Sequence, residues 1–461
     1  MFFWCSRFPP TRVAVAVMFT WLVLHGGLVA TQPEENRLAL VGGMLLDGDD
    51  APPLHHAAVL VEGNRIIEVG PAAELEIPPE YTIVDTTGRT MMPGLIDLHA
   101  HLLILGHGNY TRWSSWIEEE GGDAARSRVM AISAKQLLMA GVTSAVDLGA
   151  PLEVSLDIRD RIERGEIPGP RMSMSGPWIT RARGGMTEQF GGISITTSAE
   201  AAREAERLID AGVDVIKAHS RLTLDDYKAI VKAAHDRNVR VHAHVYAELD
   251  VRNALDAGVD VLTHAGSAGT APPYSPDLIT EIVNAGRPVV VTAAHRSWIY
   301  PDTIAFPERL QDPQLQFDLP PEIYREVQDS LSNWRALRYF GRTDREVFFR
   351  ERGLKQFIES GAVMGMGTDS GTPMNFHTEA LWREAKAHVD MGMSTQRVIS
   401  ALTRVGATIL GQRTELGTIE PGKLADIIVV QGDPHYDITA LAHVETVVKD
   451  GRVVKESKPT R

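Results

Sequence analysis

Apolar and polar positions follow two rhythms along the chain. From residue 37 to 92, short strand-like runs at Leu38–Val41, Ala57–Val61, Arg65–Val69 and Thr82–Asp85 alternate with turn signals at Gly42-Gly43, Gly63-Asn64 and Gly88. The tail returns to this style at Ala425–Val430 and Thr446–Val454, so both chain ends are expected to build one small β domain. Between them, helical spacing takes over. Ala201, Ala202, Ala205, Leu208 and Ile209 mark one apolar helix face, Gly212 ends that helix, and Val213–Ile216 is a short apolar strand running into Lys217. The unit then recurs: a helix marked by Leu224, Tyr227, Ile230, Val231 and Ala234, strand Val239–Val245, helix Leu249–Ala257, strand Val259–Thr263, helix Asp277–Asn284 and strand Pro288–Ala294. With Leu95–Leu98, Val142–Leu148, Met172–Ser175 and Ala362–Gly367 the count reaches eight strands, which is that of a closed parallel α/β barrel. Residues 296–350 interrupt the train with an insert rich in Pro, Trp, Tyr and Phe.

Composition narrows the classes. Of the 461 residues, 44% are hydrophobic and 23% charged, ordinary for a folded globular chain, which argues against disorder and against a polytopic membrane protein. The net charge of −14 argues against a phosphate backbone as partner, so no nucleic acid is expected. Arg7 and Arg12 precede an apolar run, Val13–Leu24, and small residues follow up to Ala30, which is the order of a secretory signal peptide. The run is twelve residues long, short of the roughly 20 needed to span a bilayer. We therefore expect residues 1–30 to be removed and the mature chain to be exported, periplasmic or secreted, with no membrane attachment; retention as an anchor is the alternative. Cys5, the only cysteine, leaves with that segment, so the mature chain forms no disulfide.

In a parallel barrel, functional groups stand at the carboxyl ends of the strands. The first strand ends in Asp97-Leu98-His99-Ala100-His101, and alternation places His99 and His101 on one side, able to share a metal. The fourth ends at Lys217, the fifth at His242-Ala243-His244, the sixth at His264 and the eighth at Thr368-Asp369. Imidazole and carboxylate donors suit Zn²⁺ and related divalent ions, and the lack of thiolates points to catalysis rather than a structural zinc site.

At these residues the chain resembles the amidohydrolase superfamily. The matching segments are PGLIDLHAH (93–101), DVIKAH (214–219), VHAHV (241–245), DVLTHA (260–265), GMGTDSG (365–371) and LGTIEPGKLADIIVV (416–430), and they are most similar to the imidazolonepropionase-like group that includes metal-dependent dipeptidases. The resemblance implies a distorted (β/α)8 barrel with a small β-sandwich from both chain ends. With the leader and the insert read from the residues, the expected order is signal peptide 1–30, sandwich 31–92, barrel 93–411 with 296–350 as a lid insert, and sandwich again 412–461. It further implies two divalent metal ions, Zn²⁺ being the expected one. His99, His101 and Asp369 would hold the first, His244 and His264 the second, and Lys217, carboxylated to a carbamate, would bridge them.

Two cations sharing a water lower its pKa towards about 7 and supply a bridging hydroxide, while Asp369 moves the proton to the departing nitrogen. The expected reaction is hydrolysis of an amide-type C–N bond in a small molecule: a dipeptide, an N-acyl amino acid or a related amide. The same apparatus serves a carboxylesterase, lactonase, carbamate hydrolase or phosphotriesterase, and a catalytically silent binding protein of the same fold is the third reading. Tyr246, His295 and Arg183 are candidate substrate contacts, with Arg181 as an alternative to Arg183; His219 and His242 are expected to orient metal ligands or to pack. A homo-oligomer is compatible with the sequence, and the insert is either a lid or an oligomer contact.

Overall fold

Arg65–Pro71, Ala57–Glu62, Arg37–Val41 and Thr82–Asp85 lie side by side in that order as one four-stranded sheet. A second sheet runs Arg452–Glu456, Val444–Lys449, Ile427–Gln431, Arg89–Pro93 and Met44–Leu45. The two sheets form the expected small β-sandwich, in which only the second sheet takes strands from both chain ends. The joining pair is antiparallel, with Val429 opposite Met91. Leu40, Val59, Val61, Ile66, Met91, Ile427 and Val429 fill one dry core, and that shared burial holds the two chain ends together. The computed structural model describes residues 36–456 apart from 50, 185–186, 188–189, 267–272, 316–317 and 333–342, so the signal segment 1–30 lies outside the described residues. Sandwich and barrel belong to one compact unit, Asn36–Arg461. Among the described residues no helix is long and apolar enough to cross a membrane.

Arg89–Pro93 leads straight into the first barrel strand, Leu95–Ala100. The others are Val142–Asp147, Arg171–Met174, Val215–Ala218, Arg240–His244, Val261–Thr263, Val289–Val290 and Met364–Gly365, all parallel to their neighbours. They pair as a group of three and a group of five; Ile179–Thr180 and Ile193–Ser194, from the loop after the third strand, extend the second group. Hydrogen bonds outside the strand ladders close the seams: Asp214 N to Met174 O at 2.9 Å on one side, and Leu98 N to Met366 O at 2.9 Å, Asp369 N to His99 O at 2.7 Å and His101 N to Ser370 O at 3.0 Å on the other. This is the distorted (β/α)8 barrel.

Its seventh and eighth strands are shorter than their apolar runs suggest. Thr292 has φ +55°, outside the strand region, and breaks the seventh early. In the eighth, a Cβ at Gly367 would stand 2.9 Å from His99 Cβ and 2.5 Å from a Val290 methyl, so this glycine permits the backbone to approach the first strand at the site itself.

Local capping agrees with the helix pattern. Thr197 with Glu200 and Thr223 with Asp226 form capping boxes at Ser198–Asp210 and Leu224–His235. The described parts of the insert are helical: a π-turn His295–Ile299, then Tyr300–Ala305, Pro307–Gln311, Pro321–Leu331 and the start of Thr343–Ser360. Pro321–Leu331 rests on the loop after the first strand. Glu326 takes Arg112 Nε at 2.8 Å and Nη2 at 2.9 Å and meets His107 Nε2 at 3.2 Å, while Gly108 N donates to Ser330 Oγ at 2.9 Å. Among the insert's aromatic residues, Tyr300 is buried and Phe306 and Phe348 are exposed, while Trp334, Tyr339 and Phe340 lie outside the described residues.

Candidate metal centre

Alternation along the first strand sends His99 and His101 to one side, and the turn after the eighth strand brings Asp369 to meet them. His101 Nε2 lies 3.1 Å from Asp369 Oδ1 and His99 Nε2 lies 3.6 Å from the same oxygen. One donor atom from each of the three falls within 4.8 Å of the others. His99 is fully buried, yet among the described residues neither of its ring nitrogens has a hydrogen-bond partner. Leaving such an atom unsatisfied costs about 1–3 kcal/mol, a penalty a bound cation removes. The donor set therefore fits a divalent metal.

The sixth and fifth strands supply the rest. The His264 ring is centred 4.5 Å from both His99 and His244. Thr292 Oγ1 lies 2.7 Å from His264 Nδ1, a contact that orients the imidazole ring. Lys217 is 1% exposed, and its Nζ donates to Thr263 Oγ1 at 2.8 Å. Thr263 in turn donates to Ala243 O at 2.8 Å, so it can only accept from the lysine.

Burial dominates the electrostatics. It holds His99, His244 and His264 well below the ordinary imidazole value, reinforced by neighbouring histidines and Lys217, so all three are neutral, as metal binding requires. Burial also brings the Lys217 amine down to about 7. Asp369 is pushed up by burial, but the His101 hydrogen bond and the charges of His101, His295 and Lys217 outweigh this and keep it below its usual value. His264 and Asp369 have φ +65° and +58°. Strained backbone of this kind costs about 1–3 kcal/mol per residue and gathers at functional sites.

The remaining expected residues divide. His219 is sandwiched, its ring 5.1 Å from Trp178 and 4.1 Å from His244, both stacked. His242 is buried opposite Lys217 in the strand register. Tyr246 meets His244 edge-on at 4.6 Å and lies 5.6 Å from His264. His295 Nδ1 stands 3.7 Å from Asp369 Oδ2, on the opposite side from the His99 and His101 contacts. Arg183 is exposed on its loop. Arg181 is a correction: its guanidinium forks onto the buried Asp226 through Nε at 2.5 Å and Nη2 at 2.8 Å, so it is already committed within the fold.

Several groups escaped the sequence reading. Asp97, buried and raised by that burial to about 7, accepts His99 N at 3.0 Å, Thr368 N at 3.1 Å and Thr368 Oγ1 at 2.6 Å, which ties the first strand to the eighth. Asp147 holds Leu102 N at 2.8 Å and Gly149 N at 3.0 Å, shaping the turn beyond His101. His377 Nε2 meets His101 O at 3.1 Å. Asp97 carried a signal, since it shares the side-chain parity of His99; Thr292 and His377 carried none.

Known proteins are similar to this chain over nearly its full length. A 5-methylthioadenosine/S-adenosylhomocysteine deaminase of Symbiobacterium thermophilum is 23% identical over 458 residues, covering 91% of this chain and 94% of its own. An ochratoxinase of Aspergillus niger is 24% identical over 475 residues, covering 93% and 89%. The solved structure of a Xaa-Pro dipeptidase superposes with TM-score 0.72 over 91% of this chain and 100% of that one at 21% identity, a likeness of fold. The sequence model of the amidohydrolase family matches residues 90–454, which include every residue of the cluster built above, and the chain belongs to that family.

Proposed function

We propose that the chain is an exported, two-metal hydrolase that cleaves an amide-type C–N bond in a small molecule. The observation that carries the reading is the fully buried His99, whose two ring nitrogens have no hydrogen-bond partner among the described residues, set against His101 and Asp369 within 4.8 Å. His99, His101 and Asp369 would hold one ion, His244 and His264 the other, with Lys217 between them. Bound there, divalent cations supply the positive charge that polarises a carbonyl and makes water nucleophilic at neutral pH.

The chain's own residues do the rest. With its pKa near 7, Lys217 holds roughly half its amine uncharged at neutral pH. That amine forms an N–C bond to CO₂ and releases one proton, giving a carbamate with two oxygens to offer. Asp369 divides its oxygens: Oδ1 faces His99 and His101, Oδ2 faces His295. It takes a proton from the attacking water and returns it to the departing nitrogen, which leaves poorly unless protonated. Tyr246, beside His244 and His264, is placed to donate its phenol to a substrate carboxylate or a developing oxyanion. His295 lines the same space from the π-turn after the seventh strand, Arg183 contacts the substrate from its exposed loop, and the insert covers the mouth.

Relatives are named for a deaminase, an imidazolonepropionase and an ochratoxinase, so the likeness supports hydrolysis without choosing a substrate. A panel of dipeptides, N-acyl amino acids, aryl amides, carbamates and lactones with Zn²⁺-loaded protein tests the proposal. Turnover of at least one amide class is expected; turnover confined to lactones or esters would overturn the amide assignment.

A further inference from the structure

Just beyond the seventh strand, Thr292 places a hydroxyl against the candidate metal site. Its hydroxyl lies 2.7 Å from His264 Nδ1, and its own backbone is held at φ +55°, a conformation that β-branched residues rarely adopt. Something must hold it there. On its far side, Glu384 from the helix Ala380–Asp390 accepts Ala293 N at 2.8 Å and Ala294 N at 2.7 Å, one bond to each carboxylate oxygen. These two amides directly follow Thr292 and open the π-turn that carries His295. Glu384 is 1% exposed, and His388, one turn along the same helix, meets its backbone carbonyl at 2.8 Å.

The carbonyl of Thr292 is engaged from another direction. Arg350, 4% exposed, comes from Thr343–Ser360, the helix that closes the insert, and its Nη1 donates to Thr292 O at 3.4 Å. The peptide group after Thr292 is therefore held at its carbonyl by the buried Arg350 guanidinium and at its N–H by the buried carboxyl of Glu384. Neither residue belongs to the metal cluster.

We propose that Glu384 and Arg350 are paired positioning residues that clamp the Thr292 turn and thereby fix the ring of His264 for metal. The inference rests on the two-metal reading above, in which His264 serves the second ion. It also assigns the end of the insert a task other than covering the mouth: Arg350 acts beneath the site, in the same device as a residue of the barrel wall.

The test is a Zn²⁺ titration of metal-free, full-length protein by calorimetry, with thermal melts alongside. In Glu384→Gln one amide loses its acceptor and faces an NH₂ group instead. The second equivalent of Zn²⁺ is expected to bind about 10–100-fold more weakly, with the first unchanged. Thr292→Val, which leaves the clamp and removes only the hydroxyl, should reproduce that loss; Thr292→Ser should restore it. Arg350→Met should act in the same direction, and its effect should not add to that of Glu384→Gln, because both work through one turn. A merely structural role would lower the melting temperature and leave the ratio of the two affinities alone. Wild-type affinities for both equivalents in Glu384→Gln and Thr292→Val would overturn the clamp. Uptake of fewer than two equivalents by the wild type would instead overturn the two-metal reading on which it stands.

Discussion

Replacing Lys217 with Met separates what the lysine does for function from what it costs the fold. The substitution keeps most of the side-chain length in a site that is 1% exposed and removes the titrating nitrogen. Burial brings that nitrogen from 10.5 to about 7, so from pH 7 to 10.5 the unfolded chain binds a proton that the folded chain binds less. Stability of the metal-free wild type therefore rises with pH across this window, and the penalty is present in full below pH 7. At about 1.4 kcal/mol per tenfold bias, it is on the order of 4 kcal/mol at pH 7. The lost hydrogen bond to Thr263 returns about 1 kcal/mol of this, leaving Lys217→Met roughly 3 kcal/mol more stable. Urea denaturation of chelator-treated protein in CO₂-free buffer, repeated from pH 7 to 10.5, measures the difference directly. The advantage of the variant should shrink steadily towards the alkaline end, while its turnover with added Zn²⁺ should be lost. A variant less stable than wild type at pH 7, or a difference independent of pH, would refute the reasoning.

Asp369→Asn keeps the shape of the side chain but cannot take up a proton, and turnover should fall by more than about a hundredfold; near-normal turnover with both metals bound would sink the proton-transfer role. Replacing residues 306–342 by a short Gly-Ser link, sparing Arg350, should leave metal content unchanged and raise KM or broaden substrate choice, and unaltered kinetics across the panel would defeat the lid assignment. Amino-terminal sequencing of the exported chain should begin just after Ala30, whereas an intact Met1 on a membrane-bound chain would show an anchor.

The grouping of His99 with His101 was legible because its rule is local. Two histidines at strand spacing share a side whatever the rest of the chain does, and a lysine at the end of Val213, Val215 and Ile216 announces its burial. The strands of the sandwich were legible from their own rhythm, whereas their assembly into a sandwich came from the family resemblance, since nothing local states which edges meet; the Val429–Met91 pairing spans most of the chain. Arg181 misled for the same reason, its partner Asp226 lying 45 residues on. Thr292, Glu384 and Arg350 were silent because their roles arise only when three distant segments converge, and a lone threonine or an acid in a helix has no period to betray it. The seventh strand read too long because apolar content reports burial, while its early end is set by one φ value.

The most direct test follows amide hydrolysis as metal-free protein is titrated with Zn²⁺. The account predicts no turnover without metal and a rise that reaches its plateau at two ions per chain. Full turnover in the metal-free protein, or a plateau at one ion, would contradict it.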